Sequence, residues 1–380
     1  MTIKIQKGRI LVYRVFDVGE EIDLEKSEKL ILENPTARSR FRLKKMNQNA
    51  VMVSSEPLSV LLPKAHFQIN SDVLSDVDFE LSAKIWEFGT ISFTFEWSIP
   101  KGTSLLELKE FSRAISEIEA LDDYAKSKAF ELSHQIKDCM GKISQWEVYE
   151  DYLLYYFENI EHHDKDSDAS TLLTPHEIAD LILLEDQTNF GPISSNMAQK
   201  IYDSKLQYYK SDLAVIDWNS GIIIEPSGSM DIPDVIEFAL NQLLEMRYYD
   251  DLLDKKLREI YSAIELKEMN IFSGRYTDLA LDAGQKYIEI AEIVESVENS
   301  LKVIGDLYLS SVFRLTSSKF RFTDWQLSID NKLENLAEIC KLLLDNINSR
   351  RSHVMELIII VLIAIELIPF IKEAIPYIVK

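Results

Sequence analysis

The residues best placed to do chemistry are Glu237, Asn241 and Glu245, spaced four apart on what reads as one helix, followed by Arg247, Asp250 and Asp254 on another side of it. Carboxylates beside an amide and a guanidinium are the raw material of acid–base catalysis or anion binding. Glu237 and Glu245 lie two turns apart, about 12 Å, which is too far to share one metal ion or proton directly. The first half of this helix is apolar almost all round, so the polar groups must be partly buried and must find partners. A structural polar network is the leading expectation, and an active cleft the alternative.

Three other groups invite a chemical reading. His162, His163, Asp164 and Asp166 are metal-compatible, but adjacent ligands in a polar loop do not converge on one ion without help from elsewhere, and a solvated connector is expected. His176-Glu177-Ile-Ala-Asp180 has Asp where a zincin helix needs its second His. Glu177 is instead accounted for by a capping box with Thr174, ahead of Pro175. Arg38, Arg40, Arg42 and Lys44 alternate with Ser39, Phe41 and Leu43, which on a strand gathers the charges on one face. That stripe could take lipid head groups, RNA phosphates or an acidic partner, or be a solvated face. The eleven glycines form no phosphate loop, dinucleotide fingerprint or nucleophile elbow, so no cofactor and no metal are expected.

These side chains need elements to hold them. Ile91-Ser-Phe-Thr-Phe-Glu-Trp-Ser-Ile99 alternates strictly, predicting a half-buried strand with Ile91, Phe93, Phe95, Trp97 and Ile99 inward, stopped by Pro100 and Gly102. Helical spacing follows from Leu105 to about Met140, then a returning strand from Trp146 to Ile160. Residues 161–172 read as a connector, and 213–218 and 222–225 flank Asn219-Ser-Gly221 as a β-hairpin. Asp231 and Pro233 start long helices: Val235, Ala239, Gln242, Met246, Tyr249 and Leu253 repeat at four-three spacing, as do runs from Ala280 to Leu315 and from Ile329 to Ile347. The fold class is therefore α+β. It comprises an N-terminal sheet-and-helix region (1–165), a second part of the same body (173–232) with the hairpin near 213–225, a long-helix bundle or coiled-coil stalk (233–350) and a C-terminal hydrophobic helix (354–379).

Composition bounds the partners. With 63 acidic against 41 basic side chains the formal charge is −22, which argues against broad nucleic-acid binding. Two cysteines, Cys139 and Cys340, make neither a disulfide framework nor a zinc site and fit a reducing compartment. The first residues lack a secretory signal.

Leu357 to Ile371 carries one charge, Glu366, and the wider 354–379 stretch would be about 39 Å long as a helix, against a hydrocarbon core of about 30 Å. A dozen large apolar residues return about 4–7 kcal/mol on insertion, against roughly 2.5–3.5 kcal/mol for one acid. With Arg350, Arg351 and His353 before the segment and only Lys380 after it, the expectation is a membrane anchor, bracketed by Glu356 and Glu366, with the globular part on the cytoplasmic side. A helix buried in a bundle or oligomer is the alternative, and Pro369 and Pro376 imply a kinked or interrupted helix.

Asp217-Trp218, the apolar Ile222-Ile-Ile, the run from Asp234 to Asp250 with Leu253-Asp254, and Trp325, Arg351 and the segment from Glu356 to Glu366 together resemble the "required for meiotic nuclear division" family. A weaker match covers Lys84-Ile-Trp-Glu-Phe-Gly-Thr-Ile91. The resemblance implies a membrane-associated protein with a coiled coil, linked in mitochondrial members to organelle translation, and brings no catalytic residues. Asp17, Glu20 and Glu21 near the start point to a bacterial-type member. The function expected is a membrane-tethered scaffold that binds an unknown protein partner through its body and self-associates through its stalk. The alternatives are an enzyme using the polar network on the helix after Pro233, and an RNA- or ribosome-associated factor.

Overall fold

The computed structural model describes residues 3–19, 21–33, 42–43, 56–69, 76–141, 146–161, 167–184, 191–265, 281–285, 287–288, 291 and 306–378. They divide into two compact units, Met1–Tyr248 with Val297–Trp325, and Tyr249–Ser296 with Gln326–Lys380. The α+β class expected from the sequence is the one observed.

Among the described residues the first unit is built on a ten-stranded sheet. Its strands in chain order are β1 (Lys4–Asp17), β2 (Arg42–Leu43), β3 (Leu58–Gln68), β4 (Asp76–Ile85), β5 (Thr90–Ser98), β6 (Thr103–Ser104), β7 (Tyr149–Ile160), β8 (Lys205–Leu206), β9 (Leu213–Ile216) and β10 (Ser220–Ile224). The order across the sheet is β2-β3-β4-β5-β1-β7-β10-β9-β8, with β6 beside β1. Every pairing among the described residues is antiparallel except that of β10 with β7. The expected strand is β5, and Ile91, Phe93, Phe95, Trp97 and Ile99 are all buried. The expected hairpin is β9–β10, with Gly221 packed so tightly against Tyr152 and Val215 that only a hydrogen fits its side-chain position.

One face of the sheet carries the aromatic and aliphatic core, including Val12, Phe16, Phe93, Phe95, Trp97 and Tyr155. Helices α1 (Leu24–Glu33), α2 (Leu105–Ser116), α3 (Glu119–Gln135), α4 (Pro175–Leu183) and α5 (Ser195–Tyr202) contribute Ile31, Leu108, Ile115, Leu121, Ile178 and Ile201 to it. The single helix read from Leu105 to Met140 is thus two, broken at Glu117–Ile118. Capping boxes start α2 (Ser104 with Glu107) and α4 (Thr174 with Glu177), the second as the sequence implied.

Opposite residues of paired strands share a face, and this places Lys84, Ser92, Val15 and Glu150 in one line across β4, β5, β1 and β7. The side chains of this line meet the helix α6 (Asp231–Glu265). Its first half buries Val235, Ile236, Phe238, Ala239, Leu240 and Leu244, as an all-round apolar sequence must. Helix α7 (Leu307–Lys319) joins it through Phe238 and Phe313, whose rings are 5.8 Å apart. The run read as one heptad from Ala280 to Leu315 is interrupted here, because Asp306 caps a fresh helix at Leu307.

In the second unit α6 continues beside α8 (Phe322–Ile378). Lys332 bridges Asp250 and Asp254 at 2.7 and 2.8 Å, and Ser328 donates to Asp250 at 2.7 Å. Ile329, Leu333, Leu336, Ile339 and Leu343 are buried at three- and four-residue steps.

The expected membrane anchor is overturned. Among the described residues no helix is long and apolar enough to cross a membrane. The physical reason lies in the bracket itself: between Glu356 and Glu366 the uncharged run is nine residues, about 14 Å of helix, half of what a hydrocarbon core requires. A membrane partner, and a location with the body on its cytoplasmic side, therefore lose their support. The separate terminal helix is also absent, since α8 runs unbroken from before Arg350 and Arg351, through Glu356 and Glu366, to Ile378. Positions 369 and 376 do not end it.

Candidate functional site

The polar residues on α6 do not form one constellation; the structure divides them among three partners. At the first, the Lys84 ammonium donates to Asp234 and to Glu237, both at 2.7 Å. The other Glu237 oxygen accepts from the Ser92 hydroxyl at 2.5 Å, and Ser92 in turn accepts from the Trp86 indole N–H at 2.9 Å. One turn on, Asn241 accepts from Thr90 at 2.6 Å and donates to the Glu237 carbonyl at 2.7 Å. All of these groups are buried, from 0% exposure at Asn241, Ser92 and Thr90 to 8% at Lys84.

Local sequence explains the assembly. Lys84, Trp86, Thr90 and Ser92 sit at the β4–β5 turn, where Gly89 adopts a φ of 99°, a left-handed conformation that suits glycine. Trp86 also packs on Phe238 at 5.8 Å, so the turn is clamped by the helix it binds. Asp234 lies in the first turn of α6, where the helix dipole already favours an acid. Burial pulls the Lys84 ammonium down, but Glu237 and Asp234 outweigh it and hold its pKa above the ordinary lysine value. The lysine stays charged.

The second partner is Glu150. Arg247 pairs with it, and its guanidinium lies 6.0 Å from the centre of the Trp325 ring. Burial pushes the Glu150 carboxyl up to about 7 against the pull of Arg247, with Asp151 adding repulsion. The third partner is Lys332, which takes Asp250 and Asp254. Glu245 is buried on α6 at 3% exposure.

Of the other expectations, Arg42 is in strand β2, opposite Leu61, while Arg38, Arg40 and Lys44 lie outside the described residues. His162, His163, Asp164 and Asp166 also lie outside them, and no metal-binding cluster occurs among the described residues. Glu356 and Glu366 are exposed on α8, the former 3.6 Å from His353. Sequence reasoning missed Lys84 and Glu150 as partners of the helix. A signal for Lys84 existed: it is the one charge between Leu81 and Trp86, a lysine inside an apolar strand end.

Chemically, the arrangement binds elements together. Lys84 holds two carboxylates at hydrogen-bond distance, and the groups that could donate or accept a proton face one another in the interior.

Fold and network together define an α+β sheet-and-helix protein whose long helix is fastened to the sheet by buried charges. The family model described as "Uncharacterized protein MJ0711, N-terminal domain" matches residues 7–231, more than half of the chain, and the chain belongs to that family. It is similar to the uncharacterized protein MJ0711 of Methanocaldococcus jannaschii, with 24% identity over 277 residues that cover 69% of this chain and 82% of that one. No solved structure matches.

These matches correct the resemblance to the "required for meiotic nuclear division" family, for which they give no support. That resemblance was specific mainly in the helices after residue 217, where amphipathic spacing recurs in many unrelated proteins. The family match lies instead on the sheet, and includes Lys84, Ser92 and Glu150.

Proposed function

We propose that this protein is a non-catalytic scaffold whose sheet-and-helix body binds another macromolecule. The observation that carries this reading is the enclosure of the Lys84–Asp234–Glu237 triad, whose charges are spent on one another beneath α6. An enzyme's acid and base must reach a substrate within hydrogen-bond distance. A buried charged group whose bonds are satisfied internally serves instead to fix how two elements sit. The net charge of −22 makes a protein surface with basic groups a better partner than a nucleic acid.

The test is a thermal-shift survey of the full chain against nucleotides, sugar phosphates, amino acids and carboxylates, run beside Ser92→Ala. That variant removes one hydrogen bond to Glu237 and leaves Lys84 with both acids. The expected result is that no compound raises the melting temperature of the native chain in a manner that Ser92→Ala abolishes. A compound that does so, and that is chemically altered on incubation with the native chain, replaces the scaffold with an enzyme.

A further inference from the structure

The two ends of the charged line are built differently. Lys84 is buried and meets two buried carboxylates, so neither side of that contact can reach water without unseating α6. At the other end Glu150 is buried, with 9% of its side chain exposed, but Arg247 is 33% exposed. The guanidinium can therefore rehydrate by a rotamer change, whereas the carboxylate cannot. A buried carboxylate deprived of its cation is costly, and the least disruptive remedy is a proton.

We infer that the Glu150–Arg247 pair is a proton-operated latch: when Glu150 takes up a proton, Arg247 leaves β7 and Trp325, over which it lies, changes its surroundings. This reading goes beyond the scaffold proposal and does not depend on it.

The groups around Glu150 support a one-proton device. From α6 the facing charge is Arg247. Glu245 lies two residues back along the helix, a step that does not share a face. On its own strand Asp151 is the neighbouring acid, and Tyr149 is engaged on the other face with Asp122 at 2.6 Å. From β1 the residue opposite is Val15; Tyr13 and Asp17, two residues either way on the same face, are buried at 1% and 4%, and the adjacent Arg14 is held by Asp122 at 2.6 Å. From the start of α8 comes Trp325, and the nearby Asp324 is taken by Arg321 at 2.6 Å. Removing the charge of Glu150 takes from Arg247 the carboxylate it pairs with, beside the Trp325 ring. The carboxyl's position at about 7 puts the change near neutral pH.

The test uses the full chain with 5-fluorotryptophan in place of its five tryptophans, read by fluorine NMR between pH 5.5 and 8.5. The Trp325 resonance is assigned by its loss in Trp325→Phe. It is expected to move through one transition centred near pH 7, to stay put in Glu150→Gln, and to titrate with only a small displacement in Asp151→Asn. In Arg247→Gln, which removes the group that links Glu150 to the Trp325 ring, the transition is expected to disappear. A Trp325 signal that does not titrate overturns the latch, as does one that titrates equally in Glu150→Gln. Should Glu150→Gln fail to fold, a Trp325 signal that still titrates in Arg247→Gln overturns it as well.

Discussion

Lys84 on β4 and Glu150 on β7 occupy one line across the sheet, joined through Ser92 and Val15, and α6 answers each with the opposite charge. Ten residues separate Glu237 from Arg247, about 15 Å of helix. Three strand spacings separate Lys84 from Glu150, about 14 Å. The match lets both contacts form at once, and a slip of α6 by one turn would break both.

Breaking the first contact from the sheet side should be severe. Lys84→Met leaves Asp234 and Glu237 buried without their cation, and a cost of about 3–5 kcal/mol is expected. Urea denaturation followed by circular dichroism measures it. Adding Asp234→Asn and Glu237→Gln should recover much of the loss, because the uncompensated charges go. A triple variant no more stable than Lys84→Met would mean that the triad is not what the lysine supports.

How much of this was legible beforehand depends on range. The alternation of β5, the Thr174 capping box and the β9–β10 hairpin are local patterns, and each is found where the sequence put it. That Glu237 and Asn241 are buried and partnered was also readable, because the first half of α6 is apolar almost all round and must enclose them. Their partners were not. Lys84 is 150 residues from Asp234, and Glu150 is 97 from Arg247, so only strand order and register bring them together. The terminal helix is harder to read for a related reason: Glu366 divides its apolar length, so the uncharged stretch runs only from Glu356 to Glu366.

Gly221 should resist any side chain. A Cβ there would lie 2.9 Å from the Tyr152 hydroxyl and 3.0 Å from the Val215 carbonyl, and the latter is backbone held in the β9–β10 ladder. Gly221→Ala is expected to cost about 1–3 kcal/mol by overpacking. Thermal denaturation checks this, and Gly284→Ala, which meets nothing within 4 Å, is the control.

The capping box of α4 offers a smaller and cleaner effect. Thr174 accepts from the Glu177 N–H at 3.3 Å, and Glu177 accepts from the Thr174 N–H at 2.8 Å. Thr174→Ala should lower stability by about 1 kcal/mol. Hydrogen exchange should quicken in the first turn of α4 and leave α6 unchanged.

Glu150 makes the least intuitive prediction, because an ion pair that is visible in the structure should not be a net source of stability. Its carboxyl rises from 4.5 to about 7 in the folded chain, chiefly through burial. The folded state then holds the proton more tightly than the unfolded state does. The group's contribution is fully present below pH 4.5 and is lost as pH climbs through 7, a change of about 3 kcal/mol at most. A carboxamide cannot titrate, so the stability difference between the native chain and Glu150→Gln should slope between pH 4.5 and 7.5 and level off above. On the alkaline side Glu150→Gln should equal or exceed the native chain, since it buries no desolvated charge. Denaturant midpoints measured at half-unit pH steps decide the matter: parallel curves for the two chains would mean that Arg247 fully compensates the burial of Glu150.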